Sequence, residues 1–494
     1  MDVTLTSKAF LELAADYNVV PVSVEILGDR ETPVSVFERL VGDADGFLLE
    51  SVEGGERWAR WSFVGWNPEF TLVSIDGVST AESAVVNIAD LDPLAALEAL
   101  TEAYRTPPPD QLGLGENVPP LFAGAVGYLA YDAVRYIEHL PHRPPDDRGL
   151  PESMFQFVGS MAIVDRFRQT IRLVRNVFVG DNPAHQYEAA VADLHAMIER
   201  LGEAMRHRVL PRPAFADRGE PRCNVDQETF EATVRKAIDH IENGDAFQIV
   251  PSLRLEVDFD GDAFDVYRAL RLVNPSPYLF FVRNQGLALA GSSPELMTRT
   301  RNGKVYSRPI AGTRWRGATP AEDEALAEEL LNDPKERAEH VMLIDLARND
   351  VGRIAEFGSV SVDDLMVIER YSHVMHLVSG VSGTVRDGVG PVDVLRATFP
   401  HGTVSGAPKV RAMEIIDELE SVARGPYAGA VGYIDFSGNV DTAIALRTLV
   451  IADGRAWVQA GAGVVADSDP TAEYVESMNK AAAALAAVAA ADKV

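Results

Sequence analysis

From residue 278 onward the chain is dominated by short apolar runs: YLFFV, LALAGSS, KVYSRPIAG, AGAVGYIDF, TAIALRTLVI and AWVQAGAGVV, with helical stretches between them. Each is strand-length, and helices do not alternate regularly with them as a parallel βαβ sheet requires. No fixed-period repeat organises them. This pattern predicts an α+β fold in which antiparallel β-sheets pack as a sandwich with helices outside. The first half adds a short helix within residues 1–20, the strand VVPVSVEIL, and the run Gly46 to Glu53 leading into the acidic turn EGGE. Residues 60–65 alternate as a strand, 106–120 read as loop, and 160–178 as a hairpin. Residues 122–132 mix small and aromatic side chains, as where backbones pack closely. An amphipathic helix follows over 185–206.

The Pro- and Arg-rich stretch 206–224 lacks periodicity, so it reads as a linker. It separates an N-terminal portion, 1–205, from a C-terminal portion, 225–494, and the two are expected to interlock. The helix over 226–243 carries the stripe Phe230, Val234, Ile238 and Ile241.

A net charge of −29 over 494 residues argues against nucleic acid and anionic membranes as partners. If the substrate is itself an anion, Arg, Lys or a metal must concentrate positive charge locally. The lone cysteine, Cys223, excludes an intrachain disulfide framework and fits a reducing cytosol. The N-terminus lacks the pattern of a signal peptide, and no apolar run is long enough to span a bilayer, so the expected location is cytoplasmic. The Ala-rich end reads as a packed helix.

In DPKERAEHVMLIDLARND, Asp333 and Pro334 open a helix, with Glu336 placed for a capping box. Val341, Leu343, Ile344 and Leu346 supply its apolar side. Glu336 and Glu339 share a face, and Glu473 and Glu476 repeat the spacing near the C-terminus. Four carboxylates on two segments make an oxygen-rich site suited to a hard cation such as Mg²⁺. Taken singly, each pair reads more readily as a cap or a solvated face, and only the company the pairs keep favours a cation site.

Other motifs fail on context. Gly461-Ala-Gly463 fits the loose dinucleotide fingerprint, but Asp-Ser-Asp-Pro follows where a helix should begin. The stretch 402–409 lacks the G-K-[ST] ending of a P-loop. GSSPE at 291–295 breaks the G-x-S-x-G elbow, and Glu339-His340 lacks the H-E-x-x-H of a zinc protease.

GDAFQIVPSLR, NPSPY, GSSPE, PIAGTRWRG, DPKERAEHVMLIDLARND, YSHVMHLVSG, HGTVSGAPKVRAMEII and QAGAGVVADSDPTAEYVESMNK together resemble the chorismate-utilising enzymes, most nearly the anthranilate synthase large subunits. The likeness runs in order over 225–485 and more loosely over 20–175. It implies a dicarboxylate substrate, chorismate, and an Mg²⁺ held by Glu339 and Glu476, with Glu336 and Glu473 beside them. By the same likeness Tyr427 and Arg447 hold the pyruvyl carboxylate, with Gly461, Gly463 and Lys480 also on the substrate. Gly312 and Thr313 are expected near the ring carboxylate or hydroxyl.

Glu295 matches the general acid that protonates the leaving C4 hydroxyl, a role that needs a raised pKa. Relatives that add water carry a lysine at the position of Gln248. Relatives making 4-amino-4-deoxychorismate carry a lysine in PIKGT, where this chain has Ala311. Gln248 with Ala311 therefore points to direct attack of ammonia at C2. His376 matches a histidine associated with release of pyruvate. Cys223 lacks the context of a glutaminase nucleophile, which implies a separate glutamine amidotransferase subunit, in a heterotetramer or beside a homodimer of large subunits. Glu50, Ser51 and the stretch Asn274, Pro275, Ser276, Pro277, Tyr278 match the family's tryptophan-inhibition site. The expected function is anthranilate formation from chorismate and ammonia in tryptophan biosynthesis. The alternatives are a 2-amino-2-deoxyisochorismate synthase that retains pyruvate, and a catalytically silent amino-acid-binding subunit.

Overall fold

The structure is a computed structural model that describes residues 3–51, 60–82, 85–114, 118–204, 208–214, 220–371 and 374–493. The acidic turn EGGE at 53–56 lies outside them. The expected α+β class is found: two large antiparallel sheets, each of eleven strands among the described residues, pack face to face beneath helices. One sheet runs from Val19–Leu27 at one edge to Arg222–Cys223 at the other. The second runs from Ile310–Trp315 to Val78–Thr80.

Each sheet is completed by strands from both ends of the sequence. Gly46–Glu50 pairs with Tyr278–Asn284 in one, and Gly124–Leu129 with Ala430–Asp435 in the other. Between the sheets, Phe63 meets Tyr433 with ring centroids 5.8 Å apart, and Gln156 Nε2 donates to the Arg283 carbonyl at 2.8 Å. Burial of both inner faces is the main cohesive term, by the area-proportional hydrophobic effect.

Helices close the outer faces. Pro470–Ala491 is the Ala-rich end, and its small side chains let it lie close against Ala263–Val273 and the strand Arg455–Gly461. The amphipathic helix of the N-terminal portion spans Pro183–Gly202. In Gln227–Glu242, capped by Asp226, Phe230 and Val234 are buried while Ile238 and Ile241 are half-buried. No helix among the described residues is long and apolar enough to cross a membrane.

The carboxylate helix spans Pro334–Gly352, capped by Asp333, whose side chain accepts from the backbone N–H of Lys335 and Glu336. The expected capping box does not form. The Asp333 N–H donates instead to the Leu330 carbonyl of the preceding helix, Pro320–Asn332, and Glu336 turns toward Arg314 at 3.2 Å. Leu343 and Ile344 are buried and Leu346 half-buried, but Val341 is 47% exposed and belongs to the open face.

Candidate active site

Gln248 begins the two-residue strand Gln248–Ile249, which pairs with Gly406–Ala407. This pairing holds its side chain against the carboxylate helix, where Nε2 donates to Glu339 Oε1 at 3.0 Å. The approach needs a glycine opposite: a Cβ on Gly463 would lie 2.8 Å from Gln248 Nε2. Burial raises the Glu339 pKa, the Gln248 bond lowers it, and the charges of Glu336 and Glu476 push it up again. Glu473 is likewise raised by burial, with Glu476 adding to it. Glu476 is exposed and paired with Lys480 Nζ at 2.8 Å. The two helices thus bring the four carboxylates into one electrostatic neighbourhood. Among the described residues they do not converge into a ready-made metal cluster.

Glu295 sits in the turn between Leu287–Ser293 and Leu296–Arg301, 3% exposed. Desolvation lifts its pKa to about 8; a hydrogen bond from Thr403 Oγ1 at 2.7 Å and the charge of Lys480 offset this only in part. It is therefore mainly protonated at neutral pH, as a proton donor must be. His401 Nδ1 lies 3.5 Å from Glu295 Oε1, and burial depresses its pKa to about 3, so it adds no charge there.

His376 lies on the strand Val374–Thr384, beside Ile310–Trp315. The latter strand has a register shift between Ala311 and Thr313, with Gly312 at φ +60°, a left-handed conformation that suits a residue without Cβ. The bulge aims the Gly312 carbonyl at His376 Nδ1, 3.1 Å away, and Thr313 Oγ1 is also at 3.1 Å. A carbonyl only accepts, so Nδ1 carries the proton and Nε2 keeps its lone pair. Burial lowers the pKa of the ring, and the charge of Arg447 lowers it further.

Arg447 joins Val440–Ile444 to Thr448–Ala452 at φ +48°, a strained conformation for a residue with a Cβ. Burial lowers its pKa, so its charge is held in a poorly solvated place that an anion would stabilise. Tyr427 is buried nearby, its hydroxyl 3.1 Å from where a Cβ on Gly461 would stand. Lys480 Nζ donates to the Gly461 carbonyl at 2.9 Å, tying the C-terminal helix to the end of strand Arg455–Gly461.

The second predicted constellation divides in two. Glu50, Ser51, Pro277 and Tyr278 line a cavity of about 1100 Å³ between the sheets. Pro294 and Leu296, on either side of Glu295, line it too. The Glu50 carboxylate is engaged by Arg166, Arg271 and, at 2.6 Å, the Tyr267 hydroxyl, so it organises the cavity wall. Pro275 and the buried Ser276 lie outside that lining, and Asn274 faces Arg447.

Sequence reasoning did not single out Thr403 and His401, the groups around Glu295. Their signal is a His and a Thr two apart in HGTVSGAPK, a stretch that carries the family resemblance without pointing to either residue.

The chain matches the family described as chorismate binding enzyme over residues 46–486. It is 45% identical to anthranilate synthase component 1 of Acetivibrio thermocellus over 485 residues, covering 96% of each chain. It is also 45% identical to that of Mycobacterium tuberculosis H37Rv over 504 residues, covering 99% of this chain and 96% of the other. Among solved structures, anthranilate synthase component I from Streptococcus pneumoniae TIGR4 superposes with a TM-score of 0.75 at 36% identity, covering 93% of this chain and 99% of that one. The menaquinone-specific isochorismate synthase of Escherichia coli shares the fold, with a TM-score of 0.72 at 17% identity and 98% of both chains covered. The chain belongs to the chorismate-binding enzymes, within the anthranilate synthase component 1 family.

Proposed function

We propose that this chain converts chorismate and ammonia to anthranilate, pyruvate and water. The observation that carries the reading is Glu295, a buried carboxyl with its pKa at about 8, linked through the charges of Lys480 and Glu476 to Glu339 and so to Gln248, an amide where water-adding relatives have a base. Ammonia needs orientation rather than deprotonation, and an amide already held by Glu339 supplies that. As the C2–N bond forms, the C4–O bond breaks, Glu295 gives its proton to the departing hydroxyl, which leaves as water, and the new ammonium on C2 sheds a proton. His376 Nε2 then takes the proton from C2 while the C3–O bond breaks, which aromatises the ring and frees the enolate of pyruvate, and this takes up a proton at its methylene carbon. Arg447, Tyr427 and Lys480 bind and orient the substrate's charged end.

Glu336, Glu339, Glu473 and Glu476 fit a hard cation, because they are oxygen donors whose mutual repulsion a dication would relieve. Mg²⁺ bound there would offset the charge of one substrate carboxylate. The division into 1–205 and 225–494 is then one of role: the N-terminal portion supplies Glu50 and Ser51 of a tryptophan-inhibition site, and the C-terminal portion the reaction. Ammonia comes from a glutamine amidotransferase subunit in a cytoplasmic complex, a heterotetramer or a partner bound to a homodimer of this chain. Burial raises the thiol pKa of Cys223, the reverse of what a glutaminase nucleophile requires.

The test is anthranilate fluorescence from chorismate and Mg²⁺. The purified chain is expected to turn over with ammonium and not with glutamine alone. Amination without release of pyruvate, or glutamine-dependent turnover by the single chain, would overturn the reading.

A further inference from the structure

Arg424 is 2% exposed and lies in none of the positions assigned above. Its guanidinium makes a bidentate pair with Glu420, Nε to Oε2 at 2.9 Å and Nη2 to Oε1 at 2.6 Å. It spends further N–H groups on two backbone carbonyls, Nη1 on Val404 at 2.8 Å and Nη2 on Val250 at 2.6 Å. Its Cζ lies 4.6 Å from the ring centroid of Tyr131 and 5.6 Å from that of Tyr427. Glu420 Oε1 in turn accepts from the Ser252 N–H at 2.8 Å and the Ser252 hydroxyl at 2.7 Å.

Apart from Tyr131, the anchors of this pair belong to segments that carry proposed reacting or binding positions. Val250 is two residues from Gln248, and Val404 follows Thr403, the donor to Glu295. Tyr427 is a proposed carboxylate ligand, and Ser252 is paired in register with Gly461. The segment with Val250 and Ser252 comes from a distant part of the chain and is held against the stretch that carries Val404 and Tyr427. A rigid fork with several donors can hold two carbonyls, a carboxylate and an aromatic face at once, which a lysine ammonium cannot.

We infer that Arg424, braced by Glu420, is a positioning residue that sets the relative placement of Gln248, Glu295 and Tyr427. It touches none of the reacting atoms and acts through the Val250, Val404 and Tyr427 segments. The inference rests on the proposed reaction, and its test separates the two.

The test compares Arg424→Lys with the wild type for kcat, KM for chorismate, the pH profile and Tm. The kcat is expected to fall roughly 100-fold, the cost of misplacing groups by about an ångström. Loosening the turn Gly402–Val404 weakens the Thr403 bond that holds the Glu295 pKa down, so the alkaline limb of the profile moves to higher pH. A lowered Tm with unchanged kcat and limb would overturn the inference. Should Arg424→Lys fail to fold, Ser252→Ala removes one hydroxyl that braces Glu420, and a kcat drop of about threefold or more is expected. Unchanged kcat in that variant would overturn the inference. No anthranilate from the wild type counts instead against the proposed reaction.

Discussion

Arg447 Nη1 donates to Asn274 Oδ1 at 2.7 Å, so a proposed substrate ligand is held by the first residue of the proposed inhibitor motif. Asn274 is fixed in turn, its Nδ2 donating to the Ser292 carbonyl and hydroxyl at 3.2 Å. Three and four residues further on, Pro277 and Tyr278 line the intersheet cavity. One short loop thus touches both places. Replacing Asn274 by Ala leaves Arg447 without that acceptor. A hydrogen bond to a charged group contributes about 1.5–3 kcal/mol, so KM for chorismate is expected to rise tenfold or more. Tryptophan inhibition should weaken in the same variant. Initial rates across chorismate and tryptophan concentrations check both, and unchanged values would reduce the contact to packing.

The Glu295 pKa of about 8 sets an alkaline limb. In the proposed reaction the acid form donates, so kcat/KM should fall as pH rises through that value. Glu295→Gln keeps the shape but has no acidic proton, and should cost about 10²–10⁴-fold in kcat, the usual contribution of a general acid. A carboxyl raised by folding contributes stability below its unfolded pKa, near 4.5, and loses it as pH climbs to 8. Glu295→Gln should therefore be no less stable than wild type at pH 8, as thermal melts will read.

The carboxylate site makes a similar prediction with opposite consequences for ligand. Burial raises the Glu339 pKa, so its ionised form strains the metal-free fold at neutral pH. Glu339→Gln should melt no lower than wild type without Mg²⁺, and should lose the rise in Tm that added Mg²⁺ is expected to give the wild type. Activity should fall with it. A full Mg²⁺-dependent Tm rise in both Glu339→Gln and Glu476→Gln would place the cation elsewhere.

In the proposed reaction Gln248 decides the nucleophile. Gln248→Lys sets an ammonium against Glu339, which keeps it charged near neutrality. Ammonia-dependent anthranilate should drop more than about tenfold with loss of the orienting amide. Isochorismate should emerge only toward alkaline pH, as the lysine loses its proton and can activate water. Product analysis across pH, with and without ammonium, distinguishes these outcomes from a Gln248 that merely lines the wall.

How much of this was legible in the sequence depends on the range of the contact. The strands, the helix beginning at Pro334 and the separation of Glu336 from Glu339 follow from local alternation, capping and helical spacing, and all are present. The capping box failed because the preceding helix takes the Asp333 N–H, and Val341 was misplaced because that turn of helix faces out. The metal site was read as a set, yet Glu476 is drawn to Lys480 by an i,i+4 pairing that the sequence also contains. Thr403 and His401 meet Glu295 from far away in the chain, and Arg424, besides its near neighbour Glu420, reaches the Val250 carbonyl 174 residues away, contacts that one sequence does not reveal.

The pairing of Gly124–Leu129 with Ala430–Asp435 also governs how this protein can be made. During synthesis the early strand waits for most of the chain before its partner exists, and until then it presents an unpaired, wholly buried-type edge. Such high contact order predicts slow, late-committing folding and a reliance on chaperones. It also predicts that fragments cut within 206–224 will aggregate singly and regain structure only when mixed.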